Sequence, residues 1–419
     1  MWTAAASRLA GAAELVMLNW WVLHATGNPA MIGAVTAARL APLLIAGPIG
    51  GALADRLVPA RMLGVIGAFA AVMTAALGAA VLLNVPLWMV VVLLVLRGVV
   101  TAAEASVRQL AVVEITGEGR VVKGMADLST VITLCLVAGP ALSGALMSTV
   151  GAGWGITLLA GLLLVGSLLA FSVVKEKGGD ATVKAPVAEK PQREKQSRFA
   201  GWRAIASNPR LAAQVVLAIG PMVAVFPYTS MLPVLIDLGG ALRPGSGSIA
   251  AGGDSGTWTA IASVAAAVGA VAATLFLRRN SSAQEVRNRV QEKLWDWKVL
   301  RPGRLAFFMA ALSSVILVLC ALSVTHIVVL CAMLVLLGLA GQLYRTSNRA
   351  AVIVLAPDEA RGAVLGISGM DRVMIPLGSA ICGVIASWWG PVAMLLLMAG
   401  ANAVLMLPAA VLMWRSLRR

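Results

Sequence analysis

Gly50-Gly51-Ala52-Leu53-Ala54-Asp55-Arg56-Leu57-Val58-Pro59-Ala60-Arg61 decides how this chain is read. Its only charges are Asp55, Arg56 and Arg61, and a long apolar segment lies on either side. An apolar run, a small-residue exit, an acid, a base and a second apolar run describe a tight turn at a membrane face. Glycines such as Gly51 let two helices approach closely. Asp55 can meet the partial positive charge of a helix N-terminus or an arginine. On its chemistry alone the loop also reads as a polar cap that stops two hydrophobic helices from sliding.

The rest of the chain agrees with a membrane setting. Its 419 residues are 60% hydrophobic and only 12% charged, with a mean hydropathy of +0.90. Soluble domains do not need that much apolar sequence. At roughly 20 residues per bilayer crossing, about a dozen crossings fit. A net charge of +15 would point to nucleic acid in a soluble protein. Here the tendency of cytoplasmic loops to be basic explains it, so the expected surroundings are a lipid bilayer and no nucleic acid. Cys135, Cys320, Cys331 and Cys382 all fall in apolar segments without metal-ligand spacing, so they read as small core residues. His24 and His326 lie at segment ends, as boundary polar groups or as proton carriers. The first segment carries Glu14 and Asn19, which a signal-peptide core would avoid, and is expected to be a retained span.

Twelve spans are expected, at about 3–23, 30–52, 62–83, 87–108, 125–148, 154–174, 211–235, 257–277, 305–323, 327–344, 364–387 and 391–414. Of the 33 Lys and Arg residues, Arg39, Arg97 and Arg372 lie within spans and Arg243 lies on the side of the short connections. All the others fall on the opposite side, which places both termini in the cytoplasm and requires an even number of spans. The basic, Pro-containing stretch 175–210 separates a half at 1–174 from one at 211–419 and reads as a cytoplasmic linker with a short helix near 198–207. In 281–297, Val286, Val290, Leu294 and Trp297 recur at helical spacing, as in a helix lying on the membrane surface, though a solvated loop is the other reading. Ser106-Val107-Arg108 and Glu118-Gly119-Arg120 recur 241 residues later as Ser347-Asn348-Arg349 and Glu359-Ala360-Arg361. That offset suggests two parallel six-span halves.

A charge inside a span costs several kcal/mol unless it is paired or faces water, so these residues carry the most information. They are Glu14 in span 1, Arg39 in span 2, Arg97 and Glu104 in span 4, Asp127 in span 5, and Asp371 with Arg372 in span 11. They either lock helices together or move a proton. Glu14 is the first candidate for the proton-coupling carboxylate. Glu104 is the second, with Arg97 two turns away to answer its charge. Candidate cavity residues are Asn19 and Trp20, which could also form an interfacial belt, together with Arg39, Phe226, Tyr228 and Gln342. Pro221, Pro227 and Pro233 break span 7 around Phe226 and Tyr228, as suits a substrate wall. No nucleophile–base set, metal cluster or phosphate-binding loop is present, so neither an enzyme nor a cofactor is expected.

The spacing Gly-x-x-x-Asp-Arg at 51–56 resembles the loop between helices 2 and 3 of the major facilitator superfamily, although the glycine expected later in the loop is Val58. Gly139-Pro140, with Gly144 after it, resembles the span 5 motif of that superfamily's antiporters. Arg97-Gly98 resembles the span 4 arginine motif of its proton-linked members. Trp21-Val22-Leu23, Thr26-Gly27-Asn28-Pro29, Ala37-Ala38-Arg39-Leu40-Ala41-Pro42 and Arg361-Gly362 resemble the branch that holds the enterobactin exporter and the macrolide and tetracycline efflux proteins. The resemblance implies the all-α major facilitator fold, with twelve transmembrane helices in two pseudo-symmetric six-helix halves. It implies a monomeric, proton-coupled exporter of a small molecule in the cell (inner) membrane, with a siderophore favoured over lipophilic drugs. Asp55 and Arg56 would then gate the cytoplasmic side, with Arg108 as the arginine partner. An uptake permease and a non-transporting sensor or scaffold are the other readings.

Overall fold

The computed structural model describes residues 2–42, 59–116, 121–176, 200–241, 254–287, 302–357 and 374–418, with single positions at 360, 364, 367 and 368. Among the described residues all regular structure is helical. The helices are α1 (Trp2–Thr26), α2 (Pro29–Leu40), α3 (Pro59–Leu82), α4 (Leu87–Thr116), α5 (Val121–Thr149), α6 (Gly151–Glu176), α7 (Ala200–Ser207), α8 (Pro209–Leu217), α9 (Leu232–Ala241), α10 (Asp254–Arg287), α11 (Pro302–Leu322), α12 (Ile327–Leu355) and α13 (Met374–Arg418).

Local chemistry sets several helix starts. Asn28 and Asn208 each precede a proline at the first helical position. The Asn28 side-chain oxygen accepts from the Ala30 amide at 2.9 Å. That of Asn208 accepts from the Arg210 and Leu211 amides at 3.1 and 3.3 Å. These caps satisfy amides that have no partner inside the helix, and the proline loses no hydrogen bond there. Gly390, at φ 80°, joins the two apolar arms of α13. Gly151 makes the corresponding turn, also at φ 80°, between α5 and α6. The left-handed backbone costs a glycine little, so both turns can be tight.

Among the described residues seven stretches are long and apolar enough to cross a membrane: Met62–Leu82, Gly151–Phe171, Pro209–Thr229, Ser255–Leu277, Gly303–Leu322, Ile327–Leu355 and Met374–Arg415. Three expected spans differ in detail. Spans 4 and 10 do not stop at 108 and 344 but run on to Thr116 and Leu355, because no glycine or proline intervenes. Span 7 is not one α-helix. Between α8 and α9 the chain makes a π turn at Pro221–Val225 and a 3₁₀ turn at Phe226–Thr229. Pro221 and Pro227 lack the amide protons that a continuous helix needs there.

The chain divides into two compact units, Met1–Lys195 with Ala251–Val264, and Gln196–Ala250 with Ala265–Arg419. In the first, α1 packs against α5 and α6, and α3 packs against α4 and α6. In the second, α11 packs against α12 and α13, and α13 also covers α8 and the π turn. The offset of the sequence repeat carries α3 and α4 onto α11 and α12 to within two residues at every end. The helix expected near 198–207 is α7. The surface helix expected over 281–297 begins as a continuation of α10 to Arg287, and positions 288–297 lie outside the described residues. So do Gly51, Asp55 and Arg56 of the expected gating loop, Asp371 and Arg372, and most of the 175–210 linker.

Candidate functional site

Four helices of the first unit converge on one carboxylate. Glu14, halfway along α1, is fully buried. Its Oε1 lies 3.2 Å from Arg39 Nη2 on α2, and its Oε2 lies 3.7 Å from Arg97 Nε on α4. Thr74 on α3 closes the ring. Its hydroxyl donates to Glu14 Oε2 at 3.1 Å and accepts from Arg97 Nε at 3.2 Å. Arg97 Nη1 donates to the Thr101 hydroxyl at 2.7 Å, and that hydroxyl donates back to the Arg97 carbonyl at 2.8 Å. Arg39 Nη2 also reaches the Gly11 carbonyl at 3.4 Å. Arg97 is held by groups on α1, α3 and its own helix, and Arg39 by two groups on α1, so the geometry depends on how the helices pack.

Two close approaches set that packing. A Cβ on Gly98 would collide with the backbone carbonyl of Arg39, so α2 and α4 touch beside the two arginines. A Cβ on Gly139 would collide with Ala12, and Ala13 N lies 3.1 Å from that position. The Gly139-Pro140 segment of α5 therefore lies directly behind the turn of α1 that carries Glu14. Small residues allow such contacts where lipid supplies no hydrophobic drive between helices. Gly144, one turn on, faces Ala260, whose Cβ would be 2.6 Å from an added methyl.

The structure corrects one expected pairing. Arg97 does not answer Glu104. It reaches sideways to α1 and α3, and Glu104 instead accepts from Arg108 Nη2, one turn further along α4. An (i, i+4) spacing brings that pair together on one helix face, whereas seven residues separate Arg97 from Glu104. Glu104 and Arg108 border a cavity of about 20 Å³, the volume of one water, with Thr3, Ser7, Gly67 and Ser167 also on its wall. Among the described residues Arg108 pairs with Glu104, and Asp55, its expected partner, lies outside them. Asp127 lies on α5 near its start, and its side chain is outside the described set.

Asn19 is buried one and a half turns beyond Glu14. Trp20 belongs to a separate cluster at the end of α1. Its indole N–H donates to Ser255 Oγ at 2.9 Å. Ser255 Oγ lies 3.4 Å from His24 Nε2, and His24 Nδ1 lies 2.9 Å from the Trp20 carbonyl. The two rings stack at 4.0 Å. His24 is thus part of a local network rather than a lone boundary residue.

In the second unit, Phe226 and Tyr228 sit buried in the 3₁₀ turn. Phe226 meets Tyr344 at 6.2 Å between centroids, and the Arg345 guanidinium lies 4.4 Å above its ring. Gln342 donates to Thr274 Oγ1 at 3.4 Å. Sequence reasoning missed Thr74, Thr101, Tyr344 and Arg345. Arg345 was hidden by ending span 10 at 344. The threonines carry no signal until their neighbours are known.

The family model described as Major Facilitator Superfamily matches residues 1–289. The chain is 27% identical over 381 residues to the Staphyloferrin A transporter of Staphylococcus aureus (strain NCTC 8325 / PS 47), covering 89% of this chain and 85% of that one. Its fold is similar to that of the nucleoside transporter NupG, at TM-score 0.66 and 13% identity over 98% of this chain and 97% of that one. It is also similar to a bacterial homolog of the human lysosomal transporter Spinster, at TM-score 0.63 and 13% identity over 97% and 94% of the two chains. A bacterial homologue of the iron transporter ferroportin aligns at TM-score 0.60 and 13% identity, over 99% and 96%. With the family matched over well over half its length and its helices arranged as in solved transporters, the chain belongs to the Major Facilitator Superfamily, as a multi-pass membrane transporter of a small molecule and not an enzyme.

Proposed function

We propose that the chain is a proton-coupled secondary exporter of a siderophore-like small molecule, working as a monomer by alternating access in the cell (inner) membrane. The observation that carries this reading is Glu14. It is fully buried, yet it is tied to arginines on two other helices and to Thr74 on a third. Protonation would cancel its attraction for Arg39 and Arg97 and loosen α1 against α2 and α4. Loss of the proton would restore the pairing. A charge change at one atom is thereby converted into a change in helix packing.

The direction rests on the Gly139-Pro140 segment, which packs against the turn bearing Glu14, so a bend in α5 and the state of the carboxylate are mechanically linked. The substrate rests on the likeness to the Staphyloferrin A transporter. The Glu104–Arg108 pair is assigned to the cytoplasmic gate, and so are Gly51, Asp55 and Arg56 from the sequence resemblance. Asp127, Asp371 and Arg372 remain further proton-coupling candidates. Both termini are assigned to the cytoplasm, from the basic loops on that side. Residues 1–174 and 211–419 act as the two rocking halves, joined by a linker at 175–210.

A second reading, efflux of lipophilic drugs, draws on the aromatic wall of Phe226, Tyr228 and Tyr344. Deleting the gene and measuring secreted siderophore in iron-poor medium against sensitivity to a drug panel separates the two. For the coupling itself, Glu14→Gln should abolish transport driven by an imposed pH gradient while the protein still reaches the membrane. Undiminished gradient-driven flux in that variant would sink the assignment.

A further inference from the structure

Among the described residues the charges at the Glu14 centre do not balance. Arg39 and Arg97 bring two positive charges against one carboxylate among the described residues, and all three side chains are buried or nearly so. Arg97 is well supplied, since Thr74 and Thr101 accept from its Nε and Nη1. Arg39 is not. Its Nη1 is buried without a hydrogen-bond partner, and its Nη2 has only the Gly11 carbonyl at 3.4 Å. Its contact with Glu14 is an ion pair at 3.2 Å without hydrogen-bond alignment, because Glu14 Oε1 is itself without a hydrogen bond. A buried guanidinium with an unused donor and an uncompensated charge is destabilising by itself and favours any ligand that supplies an anionic oxygen.

We propose that Arg39 receives a carboxylate of the transported molecule, so that the substrate is a carboxylate-bearing small molecule whose acid group completes the charge balance. The inference rests on reading this centre as the transport site. The planar guanidinium fork of Arg39 matches a carboxylate edge on, and its unpartnered Nη1 with the loosely held Nη2 presents two donors side by side. The surplus is a single charge, which suits one carboxylate better than a phosphate group, whose charge at neutral pH is about −1.5 to −2. Arg97 would stay with Thr74, Thr101 and Glu14. Glu14 would become the competitor that the substrate must partly displace from Arg39. Binding at Arg39 and protonation of Glu14 are then linked through one shared partner.

The test uses purified full-length protein in detergent at constant ionic strength. Thermal unfolding is followed with citrate and acetate as carboxylate probes, and with inorganic phosphate and the uncharged citrate triamide as controls. The expected result is a saturable rise in the unfolding midpoint with citrate, weaker with acetate and absent with the triamide. Arg39→Gln should weaken citrate binding by about tenfold or more, the size of one lost charge-assisted hydrogen bond. Arg39→Lys should keep part of the binding, and Glu14→Gln should tighten it because the competing carboxylate is gone. The last two variants retain a polar side chain of similar size, so they decide the matter even where Arg39→Gln fails to fold. The proposal is overturned by a wild-type protein that does not respond to citrate, by phosphate or triamide acting equally, or by citrate affinity unchanged in the Arg39 variants. Binding is read without a gradient, so its failure leaves proton coupling intact. Loss of gradient dependence in the transport assay would in turn leave this site standing.

Discussion

The two units solve the problem of buried polarity differently. The first holds Glu14, Arg97, Glu104 and Arg108 inside its helices, with Arg39 nearly enclosed. Among the described residues the second encloses a single carboxylate, that of Asp237. Its other interior polar groups are Gln214, Asn348, Asn402 and serines, set among Phe226, Tyr344 and Met222. Asn402 there donates to the Ala310 carbonyl at 2.9 Å and to Ser314 Oγ at 2.8 Å. A neutral amide holds helices in one arrangement, because its partners do not change with protonation. A carboxylate between arginines holds them only while it is charged. Under the proposed function, switching belongs to the first unit and an aromatic binding wall to the second.

The largest effect should come from removing the carboxylate altogether. Glu14→Leu leaves Arg39 and Arg97 buried without an acid, which should cost about 3–5 kcal/mol of stability. The matched change in the other unit, Asn402→Leu, removes one interhelical amide and should cost only about 1 kcal/mol. Thermal unfolding of both variants in detergent checks the pair, and equal losses would break the comparison. Gly139→Val comes next. Its side chain would meet Ala12 and push α5 away from the Glu14 turn, so gradient-driven flux should fall by about tenfold or more, consistent with an overpacking cost of roughly 1–3 kcal/mol. Vesicle transport at matched protein levels measures it. In the second unit, Phe226→Leu removes the ring beneath Arg345 and beside Tyr344. It should raise KM several-fold and leave the dependence on the proton gradient unchanged. A shift in coupling rather than in KM would move part of the switch into the second unit. The smallest effect is expected for Gln342→Ala, whose single hydrogen bond to Thr274 is long at 3.4 Å. Its flux should stay within about twofold of the parent, since one weak interhelical bond is worth roughly 0.6 kcal/mol.

Much of this arrangement was legible before any coordinates. Glu14, Arg39 and Arg97 stand out because a charge inside an apolar span is expensive and therefore rarely idle. Three prolines announce a broken span 7. The partner of Arg97 was not legible. Glu104, two turns along the same helix, was the nearest acid in sequence, but a guanidinium reaches across to the neighbouring helices as easily as along its own. Thr74, Thr101 and Tyr344 were invisible because a hydroxyl in an apolar segment looks the same whether it meets lipid, a backbone carbonyl or a carboxylate.

By itself, then, the sequence determined that the chain is a helical membrane protein built on a repeat, and which buried charges had to be explained. Those properties follow from composition and from spacing along one dimension, where desolvation alone sets the cost. Only the tertiary structure decided who meets whom: Glu14 between Arg39 and Arg97, Glu104 with Arg108, Gly139 against Ala12. Those pairings depend on how each helix is rotated and how closely it approaches its neighbours. Side-chain packing at positions distant in sequence controls both.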